Sequence, residues 1–146
     1  MSLDLDAIHR GIADQLRLNM AADVNVYPWP VAAPMLDALT LEPDNDYLAY
    51  FATFGADGLT DLQIRIRVEL DALDDESLFV KMARFLSSGA DFPSSIPDAI
   101  MQDPTIGGLV QNCVPLSAQW GIDGDLGPAV AFVPLSIIVK KSGAES

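Results

Sequence analysis

Residues 62–70 alternate without interruption. Leu62, Ile64, Ile66, Val68 and Leu70 are apolar, and Gln63, Arg65, Arg67 and Glu69 separate them. Side chains of a strand point alternately to its two faces, whereas a helix would spread the same residues around its circumference. The segment therefore reads as a strand with one buried and one polar face. It commits the chain to a sheet covered on one side. The rest of the sequence must supply the neighbouring strands and the cover.

Two further segments are apolar on both faces. Residues 47–54 put Leu48, Tyr50 and Phe54 on one face and Tyr47, Ala49 and Phe51 on the other. Residues 129–139 put Ala131, Val133, Leu135, Ile137 and Val139 on one face, with Val130, Phe132 and Ile138 opposite. Neither pattern suits a sheet face in water, so both strands are expected to be covered twice. Pro134 predicts an edge position or a bulge. Gly55-Ala56-Asp57-Gly58 predicts a hairpin turn, and residues 121–127 predict another before the last strand. Shorter strands are expected at 24–27, 35–42 and 109–118. A stiff proline loop is expected at 28–34 and a turn at Pro43-Asp44-Asn45-Asp46.

Three helices complete the pattern. Leu5, Ile8, Ile12, Leu16 and Met20 share one face of the first, with Asp4 and Asp6 at its positive end. A second starts near Asp74 with Leu78, Phe79, Met82, Phe85 and Leu86 as its apolar face. Ser95 caps a short third helix with Pro97 in its first turn, and residues 103–108 form one capped turn ended by glycine. The order α-β-β-β-β-α-α-β-β predicts an α+β fold: a mostly antiparallel sheet with two longer helices packed on one face, plus one short helix. Residues 1–141 read as a single domain and residues 142–146 as a flexible C-terminal tail.

Charge and hydropathy narrow the function. Acidic residues outnumber basic ones 21 to 8, a net charge of −13 in 146 residues. Sequence-independent nucleic-acid binding needs lysine and arginine to displace counterions, so this balance argues against it. Mean hydropathy is nevertheless +0.26. Such a chain is expected to hold more apolar surface than one small core hides, with other subunits covering the surplus. No uncharged run is long and unbroken enough to span a membrane, and the acidic N-terminus does not suit a signal peptide. A soluble protein made in a reducing cytoplasm is expected.

Candidate chemistry is sparse. His9 is the only histidine and Cys113 the only cysteine. His9 reads as an exposed helix residue and Cys113 as a buried core thiol, because neither has a recognisable nucleophile or base partner in the pattern. Asp44-x-Asp46 and Asp123-x-Asp125 could each start a calcium loop, but neither continues to the remaining ligands. Turn formation explains them more simply. No phosphate-binding glycine loop is present. Arg65, Arg67, Lys81 and Arg84 form the main basic group, diluted by Glu69 and Asp71, and read as a solvated or subunit-contacting face. No catalytic residue, metal ligand or cofactor is nominated.

An ordered set of pieces resembles the tail terminator family of long-tailed (siphovirus-type) bacteriophages, in its actinobacteriophage branch. They are an L-D-A-I helix at 5–8, V-x-V-Y at 24–27, Y-x-x-x-F-x-x-F-G at 47–55 and R-x-R-V at 65–68. D-D-E-S at 74–77, I-x-x-D-P-T-x-G-G at 100–108 and W-G-x-x-G-D-L-G at 120–127 follow. The resemblance implies a non-enzymatic virion protein that forms a homo-oligomeric ring, usually a hexamer, on the finished tail tube. That ring stops tube polymerisation and joins the tail to the neck. The implied partners are further copies of itself, the major tail tube protein and the head completion or stopper protein. DNA is expected only in passage through the lumen, with no specific binding and no membrane. The implied location is the tail–neck junction of the virion, after assembly in the host cytoplasm. Another head–tail connector protein is the alternative, and a small acidic metal- or ligand-binding enzyme a remoter one.

A ring closes when each subunit offers two complementary patches. Tyr47, Tyr50, Phe51, Phe54, Phe132 and Ile138 are the candidate subunit interface, and acidic loops around Asp44, Asp46, Asp57 and Asp61 the candidate lumen lining. Tyr50→Asp or Phe54→Asp is expected to block ring assembly in a subunit that still folds. Electron microscopy of the variants beside circular dichroism checks this, and normal rings would count against the interface.

Overall fold

In the computed structural model, which describes residues 4–20, 24–49, 59–71, 74–87, 95–120 and 129–140, each helix begins on a side-chain cap. The first N–H groups of a helix have no partner within it, and a short polar side chain supplies one. α1 (Leu5–Asn19) starts at Asp4, whose carboxylate accepts from the Ala7 N–H at 3.0 Å. α2 (Asp75–Leu86) starts at Asp74, which accepts from the Ser77 N–H at 2.8 Å. α3 (Ile96–Met101) starts at Ser95, with Pro97 in its first turn as expected. Ser95 is fully buried, and its hydroxyl also donates to the Ser87 carbonyl, tying the end of α2 to the start of α3.

Among the described residues, six strands form one sheet: β1 (Asn25–Tyr27), β2 (Ala38–Ala49), β3 (Leu59–Glu69), β4 (Asn112–Pro115), β5 (Gln119–Trp120) and β6 (Val130–Lys140). The order across the sheet is β1-β2-β3-β6-β4, with β5 also on β6. Only β1 and β2 run parallel, so the architecture is the expected α+β fold with a mixed, mostly antiparallel sheet. No helix among the described residues is long and apolar enough to cross a membrane.

The alternating strand is the centre of the sheet. Leu41 of β2 pairs with Ile66 of β3, which pairs with Val133 of β6. Leu62 pairs with Ile137, which pairs with Cys113 of β4. Register partners share a face, so these rows build one continuous apolar surface. Ile8, Ile12 and Leu16 of α1, Met82 and Phe85 of α2, and Ile96 and Ile100 of α3 join it in a single core. Each of these large side chains is worth roughly 1.5–3 kcal/mol on burial.

The short parallel connection works because β1 is only a three-residue strand. Parallel neighbours normally need a crossover of a dozen or more residues. Here residues 28–37 retrace a distance that a loop easily spans.

The structure departs from the sequence expectations in several places. Residues 35–42 and 47–54 are not two strands divided by a turn. Pro43-Asp44-Asn45-Asp46 lies inside the single strand β2, as a register shift between Pro43 and Leu48. Between these two points β2 advances from Pro43 to Leu48 while β3 moves only from Ile64 to Leu62. The extra residues bulge out, and a proline without an N–H fits where pairing is broken. The part of 47–54 beyond Ala49, the 55–58 and 121–127 turns and the 142–146 tail lie outside the described residues. Met35 and Leu36 precede the strand and are exposed.

The expected strand at 109–118 is interrupted. β4 pairs Pro115 with Leu135, β5 pairs Gln119 with Phe132, and the register slips by one residue between them. Pro134 sits beside this break. Its carbonyl accepts from the Leu116 N–H at 2.9 Å. The N and C=O of one strand residue point to the same neighbour, so its missing donor faces the bulged strand rather than β3.

Two burial expectations also change. Phe79 is exposed on α2 and meets Trp120, ring centroids 5.3 Å apart, while Leu78, Met82, Phe85 and Leu86 face the core. His9 is buried rather than exposed, with Nδ1 2.6 Å from the Pro28 carbonyl, because the start of the loop after β1 lies against α1.

The C-terminal carbonyls of α3 meet an unexpected cap. Gln15 Nε2 donates to the Ala99, Ile100 and Asp103 carbonyls at 3.0, 2.8 and 3.0 Å. A buried acceptor left unpaired is costly. Gln15→Ala is expected to lower folding stability by about 2–3 kcal/mol. Urea unfolding checks this, and an unchanged midpoint would remove the cap from the account.

Candidate assembly surface

Among the described residues, the helices cover one side of the sheet, and no helix covers the other. Strand alternation that sends Ile64, Ile66 and Val68 into the core sends Arg65 and Arg67 to the opposite face. Two rows cross that face. Thr40, Arg67 and Phe132 are register partners, as are Glu42, Arg65 and Pro134. Arg65 Nε lies 2.5 Å from Glu42 Oε1, and Arg67 Nε lies 3.6 Å from Glu42 Oε2. The guanidinium of Arg65 sits 4.3 Å, and that of Arg67 5.7 Å, from the centre of the Phe132 ring. Such cation–π contacts contribute about 0.5–1 kcal/mol at exposed sites and more when dry.

Phe132 is buried, at 7% exposure, with both guanidiniums over its ring. Val130, Pro134, Ser136 and Ile138 beside it stay half-buried. The helices' buried side chains gather on the side of Val133, Leu135 and Ile137. Two polar atoms of the bare face are buried and lack a hydrogen-bond partner, Thr40 Oγ1 and Arg67 Nε.

Apolar surplus is real and sits elsewhere. Leu18 of α1 is 84% exposed, Met35 70%, Leu116 60% and Phe79 59%. Trp29, Val31 and Leu36 are exposed with Met35 on residues 28–37. That loop is pinned. Met35 N–H donates to the Tyr27 hydroxyl at 3.0 Å, Asn25 Nδ2 donates to the Met35 carbonyl at 3.0 Å, and Arg10 stacks over Trp29 at 4.7 Å. It presents its apolar side chains from a held backbone. A shallow cleft of about 250 Å³ opens at the β4–β5 break, lined by Leu86, Pro97, Leu116, Ala118 and Val133 among others.

The nominated residues divide. Phe132 and Ile138 lie on the bare face. Tyr47 belongs to β2, with its side chain outside the description, and Tyr50, Phe51, Phe54 and Asp57 lie outside the described residues. Asp44 and Asp46 are in β2 and Asp61 in β3, so they stand on strands and not on loops, because the expected turn is a bulge. Asp61 is paired with Ala49, near the same end of the β2–β3 pair.

Asp103 has structural work. Asp103 accepts from the Thr105 hydroxyl and from the N–H groups of Thr105 and Gly107. The bonds from Thr105 and Gly107 hold its carboxyl below the ordinary value. They brace a turn in which Ile106, Gly107 and Gly108 all have positive φ, of 50°, 65° and 86°. Ile106 tolerates that geometry because its side chain is buried in the core. The turn packs closely on α1: a Cβ on Gly11 would fall 2.6 Å from Leu109 Cδ1. No cluster of three metal-ligating residues occurs among the described residues.

No protein-family model matches the chain, and comparison with curated proteins finds no significant match.

Cys113 is buried in β4, and desolvation pushes its thiol up from about 9 to about 12. The folded chain therefore keeps this proton where the unfolded chain loses it. Its contribution to stability is complete below the ordinary thiol range and is lost as pH rises toward 12. Native protein at mildly alkaline pH is expected to resist thiol-alkylating reagents, with full labelling after unfolding. Rapid labelling of the native state would contradict the burial.

Proposed function

We propose that this chain is a structural subunit of a ring that ends a phage tail tube, stops its polymerisation and joins it to the neck. The observation that carries the reading is the one-sided sheet. Its helices cover one face, while the other presents Phe132 under arginines and a half-buried apolar strip. The held apolar residues at 28–37 offer a second, different surface. Two unlike patches per subunit suit a heterologous contact, which closes into a ring when its rotation closes. The sequence resemblance supplies the place, the tail–neck junction of the virion, and the partners: the tail tube protein below and the head completion or stopper protein above. In this reading the chain is not an enzyme and needs no cofactor.

The lumen side of the proposal rests on Asp44, Asp46, Asp57 and Asp61. The three on described strands gather toward one end of the β2–β3 pair. Like charge there would let DNA pass without adhering, in keeping with a lumen that conducts and does not bind.

The test is functional. Purified chain added to polymerising tail tube protein from the same phage is expected to arrest tubes at shorter lengths and to appear as a cap at one end by electron microscopy. Tubes of unchanged length with bare ends would reject the terminator reading. Selective binding to DNA-filled heads lacking tails would favour the other connector roles.

A further inference from the structure

We propose that the 28–37 loop of one copy docks on the β4–β5 cleft of a second copy, with Met35 as the inserted side chain. The docking rests on the ring reading above and names the two surfaces that meet.

Three observations carry it. First, the two surfaces lie at opposite edges of one sheet. The order β1-β2-β3-β6-β4 puts the loop that follows β1 at one end and the break between β4 and β5 at the other. A knob on one edge and a recess on the other is the arrangement a head-to-tail contact needs.

Second, the shapes are opposite and both are apolar. Met35 and Leu36 stand exposed on a backbone held by the Tyr27 hydroxyl and the Asn25 amide. A knob already held loses little freedom on docking. The recess, of about 250 Å³, is walled by Leu86, Pro97, Pro115, Ala118 and Val133, with exposed Leu116 among them. That is below the roughly 300–1,000 Å³ of small-ligand pockets and suits an adaptable methionine side chain.

Third, charge selects the occupant. Residues 24–36 and 104–120 carry no charged side chain, in a chain of net charge −13. Where charges approach the loop they are paired: Arg10, stacked on Trp29, with Asp6, and Asp37 with Lys81. Next in sequence to the described cleft residues stand Arg84 and Asp98, one of each sign. A surface made for a basic partner would be acidic. Two uncharged edges suit a partner with the same excess of acid, a second copy of this chain, because the copies touch where neither repels the other.

Sedimentation of the full chain up to millimolar concentration reads the docking. Wild-type chain is expected to self-associate, more strongly as salt screens the repulsion between acidic copies. Met35→Gln makes the knob polar and Leu116→Asn the cleft, and each is expected to weaken association about tenfold or more. Thermal melting checks that each variant folds, and either decides alone where the other does not. Mixed together, the two variants restore one intact contact, since the first keeps its cleft and the second its knob. The mixture is expected to form pairs at the wild-type affinity and nothing longer. A wild-type monomer at every concentration, association that falls with salt, variants that associate as wild type does, or a mixture that stays monomeric overturns the docking. Normal self-association of both variants with lost tube capping gives the surfaces to the tube protein and likewise overturns it. Wild-type chain that associates through these residues yet leaves tubes uncapped rejects the terminator reading and leaves the contact standing.

Discussion

The structure depends on burying one face of a twisted sheet and leaving the other to polar side chains. The central strand β3 makes this choice at every second residue. Leu62, Ile64, Ile66 and Val68 are fully enclosed, and their register partners Leu41, Val133, Leu135 and Ile137 are enclosed with them. A slip of one residue in either pairing would turn this set toward water and send Arg65 and Arg67 into the core. The helices can then take only one place. Their apolar stripes must meet this surface, and a side-chain cap fixes where each begins.

Much of this was legible because period-two and period-3.6 patterns are long and self-consistent. The helices begin at Asp4, Asp74 and Ser95, where short polar side chains precede apolar stripes. Local turn chemistry was less reliable. Pro43-Asp44-Asn45-Asp46 has the composition of a turn, yet bulges use the same residues, and only the partner strand decides between them. Gln15 could not be recognised at all. Its three acceptors lie 84 to 88 residues away, and nothing in a helix pattern distinguishes a buried glutamine from an exposed one. His9 changed from exposed to buried for a similar reason: a loop, not a strand or helix, covers it.

Hydropathy carried the amount of exposed apolar surface better than its address. Alternation alone made Phe132 a residue seeking cover from outside the chain. Two arginines on the neighbouring strand provide that cover, since their planar heads stack on the ring. The exposed residues are instead Leu18, Leu116, Phe79 and those of the 28–37 loop. Leu18 and Phe79 lie within α1 and α2, off the stripes that reach the core, and the others lie between elements.

The remaining tension on the molecule is electrostatic. An acidic chain that assembles with itself must keep like charges apart where its copies touch. Of the described cations, Arg10, Arg17 and Lys81 each have a carboxylate at 2.8–3.1 Å on Asp6, Asp14 and Asp37. Arg65 and Arg67 divide one between them. The division is one of contact and not of count: alternation sets Glu69 on the same face as Arg65 and Arg67, and β2 adds Glu42, so two acids stand with two bases, yet both arginines turn to Glu42.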